Sequence, residues 1–130
     1  MRAGLAALSW MANRPDGRRR SWAVLGEMAE LGDDAISEHD RVGRLAVRLD
    51  VSRLVVVGTG RSMRAMHHGA VTEGSWGGLS TMQATMVDDA EAALALLRAE
   101  LAPGDVVLVK ASNAAGLGAL AESLTRNSTG

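Results

Sequence analysis

Two polar stretches stand where apolar runs end, and their charges are opposite. Gly26-Glu27-Met28-Ala29-Glu30-Leu31-Gly32 follows the run Trp22-Ala23-Val24-Leu25, and Lys110-Ala111-Ser112-Asn113 follows Val106-Val107-Leu108-Val109. The first stretch offers the carboxylates of Glu27 and Glu30 on either side of Met28. The second offers the Lys110 ammonium, then Ser112 and Asn113, either of which can cap a following helix whose free N–H groups also attract anions. A zwitterion needs one of each: carboxylates for its ammonium, and a lysine with N–H donors for its carboxylate. Both stretches follow strands read as parallel, so both are expected at one edge of the sheet, where strand ends and helix starts converge on ligands. The plainer alternatives are a solvated acidic loop at Glu27 and Glu30 and an ordinary helix cap at Ser112 and Asn113; the residues alone leave both pairs of readings open.

The elements that must position these groups are legible as alternating patterns. Residues 3–13 read as a helix through Leu5, Leu8 and Ala12, stopped by Asn13-Arg14-Pro15-Asp16-Gly17. Residues 20–25 read as a strand apolar on both faces, as in parallel sheets covered by helices. Residues 37–49 form the clearest helix, with Ser37 as N-cap, Asp40 three residues on, and Val42, Leu45, Ala46 and Leu49 as its inward stripe. Residues 53–57 are the next strand, followed by a short helix through Met63, Met66 and Ala70 and a Gly/Ser-rich loop over 72–80. A weaker strand is expected over 81–87, a helix capped by Asp88 with Glu91 after it, a strand over 105–110, and a last helix through Leu117, Leu120, Ala121 and Leu124. The predicted fold is therefore α/β: a Rossmann-like, doubly wound, mostly parallel sheet with helices on both faces. One domain is expected over 1–125, with 126–130 a frayed tail. The pattern opens on a helix where such domains open on a strand, so the first strand is expected to be missing.

Other constellations carry less. Gly58-Thr59-Gly60 after a strand is similar to a dinucleotide fingerprint, but Met63 stands where the third glycine belongs, and an ordinary strand-to-helix turn is favoured. His67 and His68 are adjacent and point to different sides of a helix, and His39 sits in a polar turn with Glu38 and Asp40. No convergent ligand set emerges, so neither a metal site nor a bound cofactor is expected in this chain. His39 is expected at the surface or in a cap.

Bulk properties exclude several classes. A net charge of −1 implies no general affinity for nucleic acid. The absence of cysteine removes disulfides, thiolate metal sites and cysteine catalysis. At 47% hydrophobic and 22% charged, the 130 residues have an ordinary globular composition, large enough for a core built from Leu, Val, Ala and Met, since Phe and Tyr are absent. No stretch is apolar and long enough for a membrane span, and no signal-peptide region opens the chain.

The stretch Gly26 to Gly32, with Ser37, His39 and Gly43 at fixed offsets, resembles the C-terminal domain of the Mur ligases. Asp105-Val106-Val107-Leu108-Val109-Lys110-Ala111-Ser112 is similar to the family's last strand and its Lys-Gly-Ser turn, with Ala111 in place of the commoner Gly and Asn113 in place of Arg. The likeness runs from Met1 to about Leu124. It implies a cytoplasmic enzyme of peptidoglycan precursor synthesis that uses ATP and Mg2+ to activate a carboxylate as an acyl phosphate for attack by an amine. The wording of the first loop implies UDP-N-acetylmuramoyl-tripeptide and D-Ala-D-Ala as substrates, and N-terminal and central ligase domains as partners. It further implies dipeptide contacts from loops matching 26–32 and 110–113, with 58–61 a further candidate. These loops supply Glu27, Met28, Glu30, Lys110, Ser112 and Asn113 as substrate-binding residues. The family's phosphate-binding loop and the Asn-Pro motif of its first strand are absent from the chain. The expectation is therefore a piece of a longer ligase, without catalytic residues or turnover of its own. The alternatives are a stand-alone Rossmann-like binding module and a nucleotide-binding domain working through Gly58-Thr59-Gly60.

Overall fold

A computed structural model describes residues 5–6, 13–14, 17–18, 20–27, 34–49, 51–77 and 83–110. A two-residue ladder, β1 (Asn13–Arg14) against β2 (Gly17–Arg18), is antiparallel and occupies the stretch read as a helix stop. Of the first expected helix, Leu5 and Ala6 are described; both are helical, and Leu5 is wholly buried in the core. The chain then alternates through β3 (Ser21–Leu25), α1 (Ala35–Arg48), β4 (Arg53–Val57), α2 (Arg61–Gly77), β5 (Gln83–Val87), α3 (Ala90–Glu100) and β6 (Val106–Lys110). The last expected helix, over residues 114–124, and the tail lie outside the described residues.

The main sheet has the order β5-β4-β3-β6, all parallel. Steps from β3 to β4 and β4 to β5 run in one direction, and β6 returns to the far side of β3. Crossovers keep one hand, so a reversal of direction must place the returning helix on the opposite face. The packing agrees. Ala23, Leu25, Leu54 and Val56 share one core with Ala46 of α1 and Met63, Met66 and Ala70 of α2, while Trp22, Val24, Val55 and Val57 share another with Ala93 and Leu97 of α3. Each strand thus feeds alternate residues to two cores, which is why β3 and β4 are buried along their whole length. The order reverses between β3 and β6, so the crevice beyond their C-terminal ends is the sheet's switch point.

Three helix boundaries differ from expectation. α1 starts at Ala35, with Asp34 in the cap position making no side-chain cap hydrogen bond; Ser37 lies inside the helix. Its most buried residues are His39, Gly43 and Ala46, while Val42 and Leu45 pack at their flank. α2 continues to Gly77 through part of the expected loop; Glu73 of this extension pairs with Arg44 and Arg48 of α1 at 3.4 and 3.1 Å, contacts that no local pattern announces. α3 is capped by Asp89, not Asp88. The Asp89 carboxylate accepts the Ala92 N–H at 2.8 Å, three residues on, so the helix begins one position later.

Candidate functional site

The C-terminal edge of the sheet is assembled by strand register. β3 and β6 pair Leu25 with Lys110, and the ladder runs one step further, the Gly26 N–H donating to the Lys110 carbonyl at 3.0 Å. Glu27 and Lys110 therefore leave the sheet from adjoining strands, which lie about 4.8 Å apart in any sheet. Both are exposed, and among the described residues neither side chain enters a salt bridge or hydrogen bond. An unpaired anion and an unpaired cation at one switch point match the two ends of a zwitterion. Met28, Glu30, Ser112 and Asn113, the other expected contacts, lie outside the described residues.

The loop after β4 borders the same edge. Gly58 adopts φ +123°, a left-handed conformation that favours glycine, and its N–H donates to the Val87 carbonyl at 2.8 Å. Met63, at the position of a fingerprint's third glycine, is buried in the core, and its side chain lies 3.1 Å from where a Cβ on Gly58 would stand. The place where a glycine would let a helix approach a diphosphate is filled by a core side chain.

The histidines do not converge. His67 approaches the Ala84 carbonyl at 3.3 Å and His68 the Thr72 hydroxyl at 3.4 Å. His39 corrects the expectation of a surface or capping place: it is wholly buried inside α1, its Nδ1 against the Ala35 carbonyl. A carbonyl carries no proton, so Nδ1 holds the hydrogen of this bond. Its spacing with Gly43 and Ala46 is the signal that reveals it, a helical stripe of small residues beginning on a histidine. Among the described residues no group of three or more His, Asp or Glu converges as a metal site would.

A second constellation, unanticipated, lies at the opposite edge of the sheet. The Trp22 indole is wholly buried under two guanidinium groups, Arg53 at 4.4 Å and Arg20 at 5.4 Å from the ring centre. Its Nε1–H donates to Asp105 at 2.9 Å, and Asp105 also accepts Arg20 at 2.8 Å and the Ala102 N–H at 3.0 Å. Arg53 binds Glu100 through both terminal nitrogens, at 3.0 and 3.4 Å, while its buried Nε has no hydrogen-bond partner among the described residues. Burial disfavours the Asp105 carboxylate, yet the hydrogen bonds from Arg20, Ala102 and Trp22 outweigh it and hold its pKa below the ordinary aspartate value. The Arg53 hydrogen bond lowers Glu100 in the same direction.

The family model of the Mur ligase C-terminal region, described as "Mur ligase, glutamate ligase domain", matches residues 1–113. The chain is 71% identical over 136 aligned residues to the UDP-N-acetylmuramoyl-tripeptide–D-alanyl-D-alanine ligase of Mycobacterium bovis, covering 99% of this chain and 27% of that protein. It is 66% identical over 132 residues to the protein of the same name from Mycobacterium leprae, covering 95% of this chain and 25% of that one. With the Synechocystis protein of that name it shares 38% over 120 residues, covering 92% of this chain and 24% of that one. The chain spans about a quarter of the length of the curated relatives it matches. It belongs to the Mur ligase family, whose C-terminal domain it represents.

Proposed function

We propose that this member of the Mur ligase family is the amine-substrate domain of an ATP-dependent amide ligase of peptidoglycan precursor synthesis, acting in the cytoplasm. Its task there is to hold D-Ala-D-Ala for attack on the activated carboxylate of UDP-N-acetylmuramoyl-tripeptide. The observation that supports this is the exposure of Glu27 and Lys110 on adjoining strands at the switch point, neither with a partner among the described residues. Glu27, with Glu30, orients the dipeptide's amino group. Lys110, with Ser112 and Asn113, receives its carboxylate, and Met28 lies in the stretch between the acidic residues. Opposite charges at the two ends select polarity, because a ligand reversed end for end meets like charges.

The described residues do not fit a nucleotide–metal centre: their carboxylates and histidines do not converge, and Met63 fills the third-glycine position. In this reading ATP and Mg2+ are bound mainly outside this chain, by the N-terminal and central domains of the ligase.

The test is a chimera in which this chain replaces the matching stretch of the Mycobacterium bovis relative. Phosphate release should require both D-Ala-D-Ala and the muramoyl tripeptide, while the chain alone should release none. A folded chimera that binds ATP but gives no dipeptide-dependent release contradicts the proposal and favours a stand-alone binding module.

A further inference from the structure

The two outermost strands of the main sheet are composed differently. β5 opens in alternation, Gln83-Ala84-Thr85-Met86, as a strand at a sheet margin does when one face meets water. β6 is apolar throughout Val106-Val107-Leu108-Val109, the composition of a strand with neighbours on both sides. Val106 and Leu108 pack against one core, Val107 and Val109 against the other. Yet among the described residues β6 has a single neighbour, β3. Natural margins are ordinarily guarded by charge or proline, and Val106 to Val109 carries neither.

Register says which backbone groups point outward. The Val106 N–H donates to the Arg20 carbonyl at 2.9 Å, and the Lys110 carbonyl accepts the Gly26 N–H at 3.0 Å, so both residues face β3. Backbone groups of successive residues turn to opposite sides of a strand. Leu108 therefore also faces β3, and Val107 and Val109 turn their N–H and C=O groups away from it.

Handedness says what fits there. The crossover from β3 through α1 to β4 steps toward β5, with α1 on the face that holds Ala23, Leu25, Leu54 and Val56. Leu5, helical and wholly buried, belongs to that same core. A parallel strand that reaches β3 through the helix of Leu5 must make the same right-handed turn on the same face, and so step in the same direction. It starts on the β6 side of β3. The four described strands pair without a gap, so its place is beyond β6, against Val107 and Val109. The relatives are about four times as long as this chain, so such a ligase has further chain to supply it.

We infer that the outer side of β6 docks a parallel, apolar strand contributed by the stretch of the ligase that leads into residue 1, hydrogen-bonded to Val107 and Val109. Running with β6, that strand ends beside Lys110. The inference rests on topology and family membership, not on the dipeptide reading.

The experiment follows amide exchange in the isotope-labelled 130-residue chain. The probe is a synthetic peptide of about a dozen residues, enough for one strand and its exit, copied from the stretch that precedes the match in the Mycobacterium bovis relative. At saturation it should slow exchange at Val107 and Val109 about tenfold or more and leave Val55 unchanged. A spin label at the peptide's N-terminus should broaden Asp105 more than Lys110, as a parallel strand requires. Val109→Pro removes an outward N–H without touching the β3 ladder, and should abolish the slowing at Val107. If that variant does not fold, peptides N-methylated on alternate residues replace it: one alternate set should bind and the other should not. No slowing at Val107 and Val109, broadening strongest at Lys110, slowing centred on Gln83 to Val87, or equal binding of both methylated sets overturns the inference. Full protection before peptide is added overturns it too, a dimer in sedimentation then assigning this side of β6 to a second copy and a monomer to the chain's own remaining residues.

Discussion

The two edges of the parallel sheet are built on opposite plans. At the N-terminal edge Arg20, Trp22, Arg53, Glu100 and Asp105 close on one another, joining the starts of β3, β4 and β6 to the end of α3. At the C-terminal edge the same strands release Glu27 and Lys110 into solvent without a partner among the described residues, beside a glycine in a left-handed conformation. Charges that satisfy each other are unavailable to a ligand, and charges left open add nothing to the fold. Stability and recognition are thus assigned to opposite ends of the same strands, so substitutions at the two edges should have separable consequences.

The largest effect is expected at the closed edge. Trp22→Ala removes a wholly buried indole and the stack beneath two guanidinium groups, and should cost about 3–5 kcal/mol in urea unfolding, enough to leave much of the chain unfolded. Gly43→Ala comes next: a Cβ there would overlap the Met66 carbonyl and force α1 and α2 apart, with an expected loss of about 1–3 kcal/mol in the same measurement.

The closed edge should also be sensitive to acid. Asp105 and Glu100 have folded-state pKa values below their ordinary ones, so the folded chain binds fewer protons than the unfolded chain as both titrate. Their contribution is present above the unfolded values, near pH 4, and is lost as pH falls from about 5 through the lowered folded values. Urea midpoints should therefore drop below pH 5, and Asp105→Asn should flatten the drop. A drop equally steep in Asp105→Asn would remove this network as its source.

The smallest effect on stability is expected at the open edge. Glu27→Gln and Lys110→Met should each change unfolding free energy by less than about 0.5 kcal/mol, while raising dipeptide KM in the chimera about tenfold. If either destabilises the chain as much as Gly43→Ala does, the two edges are not divided as described.

The sequence showed the strands well because apolar runs bounded by turn residues leave little choice. Strands expected over 20–25, 53–57 and 105–110 are found at Ser21–Leu25, Arg53–Val57 and Val106–Lys110. Helix ends are less legible: Asp88 and Asp89 have the same capping chemistry and it is the Asp89 carboxylate that takes the Ala92 N–H, while the start of the 72–80 stretch joins α2, where Glu73 pairs with Arg44 and Arg48. The common edge of Glu27 and Lys110 followed from two parallel strands, but their adjacency depends on strand order, which no local pattern encodes. The closed edge was invisible for the same reason: Trp22 and Asp105 are 83 positions apart, and Arg53 and Glu100 are 47. His39 was misplaced because a polar residue between Glu38 and Asp40 reads as surface, whereas Gly43 and Ala46 on its stripe turn it inward.

Titration of the isotope-labelled chain with D-Ala-D-Ala, followed by backbone amide shifts, tests the open edge most directly. Shifts at Gly26, Glu27 and Lys110 are expected, with none at the Trp22 indole N–H, and they should vanish when either the dipeptide's amino group is acetylated or its carboxylate amidated. Shifts of equal size with the blocked dipeptides, or shifts centred on Trp22 and Asp105, would contradict a zwitterion site between Glu27 and Lys110.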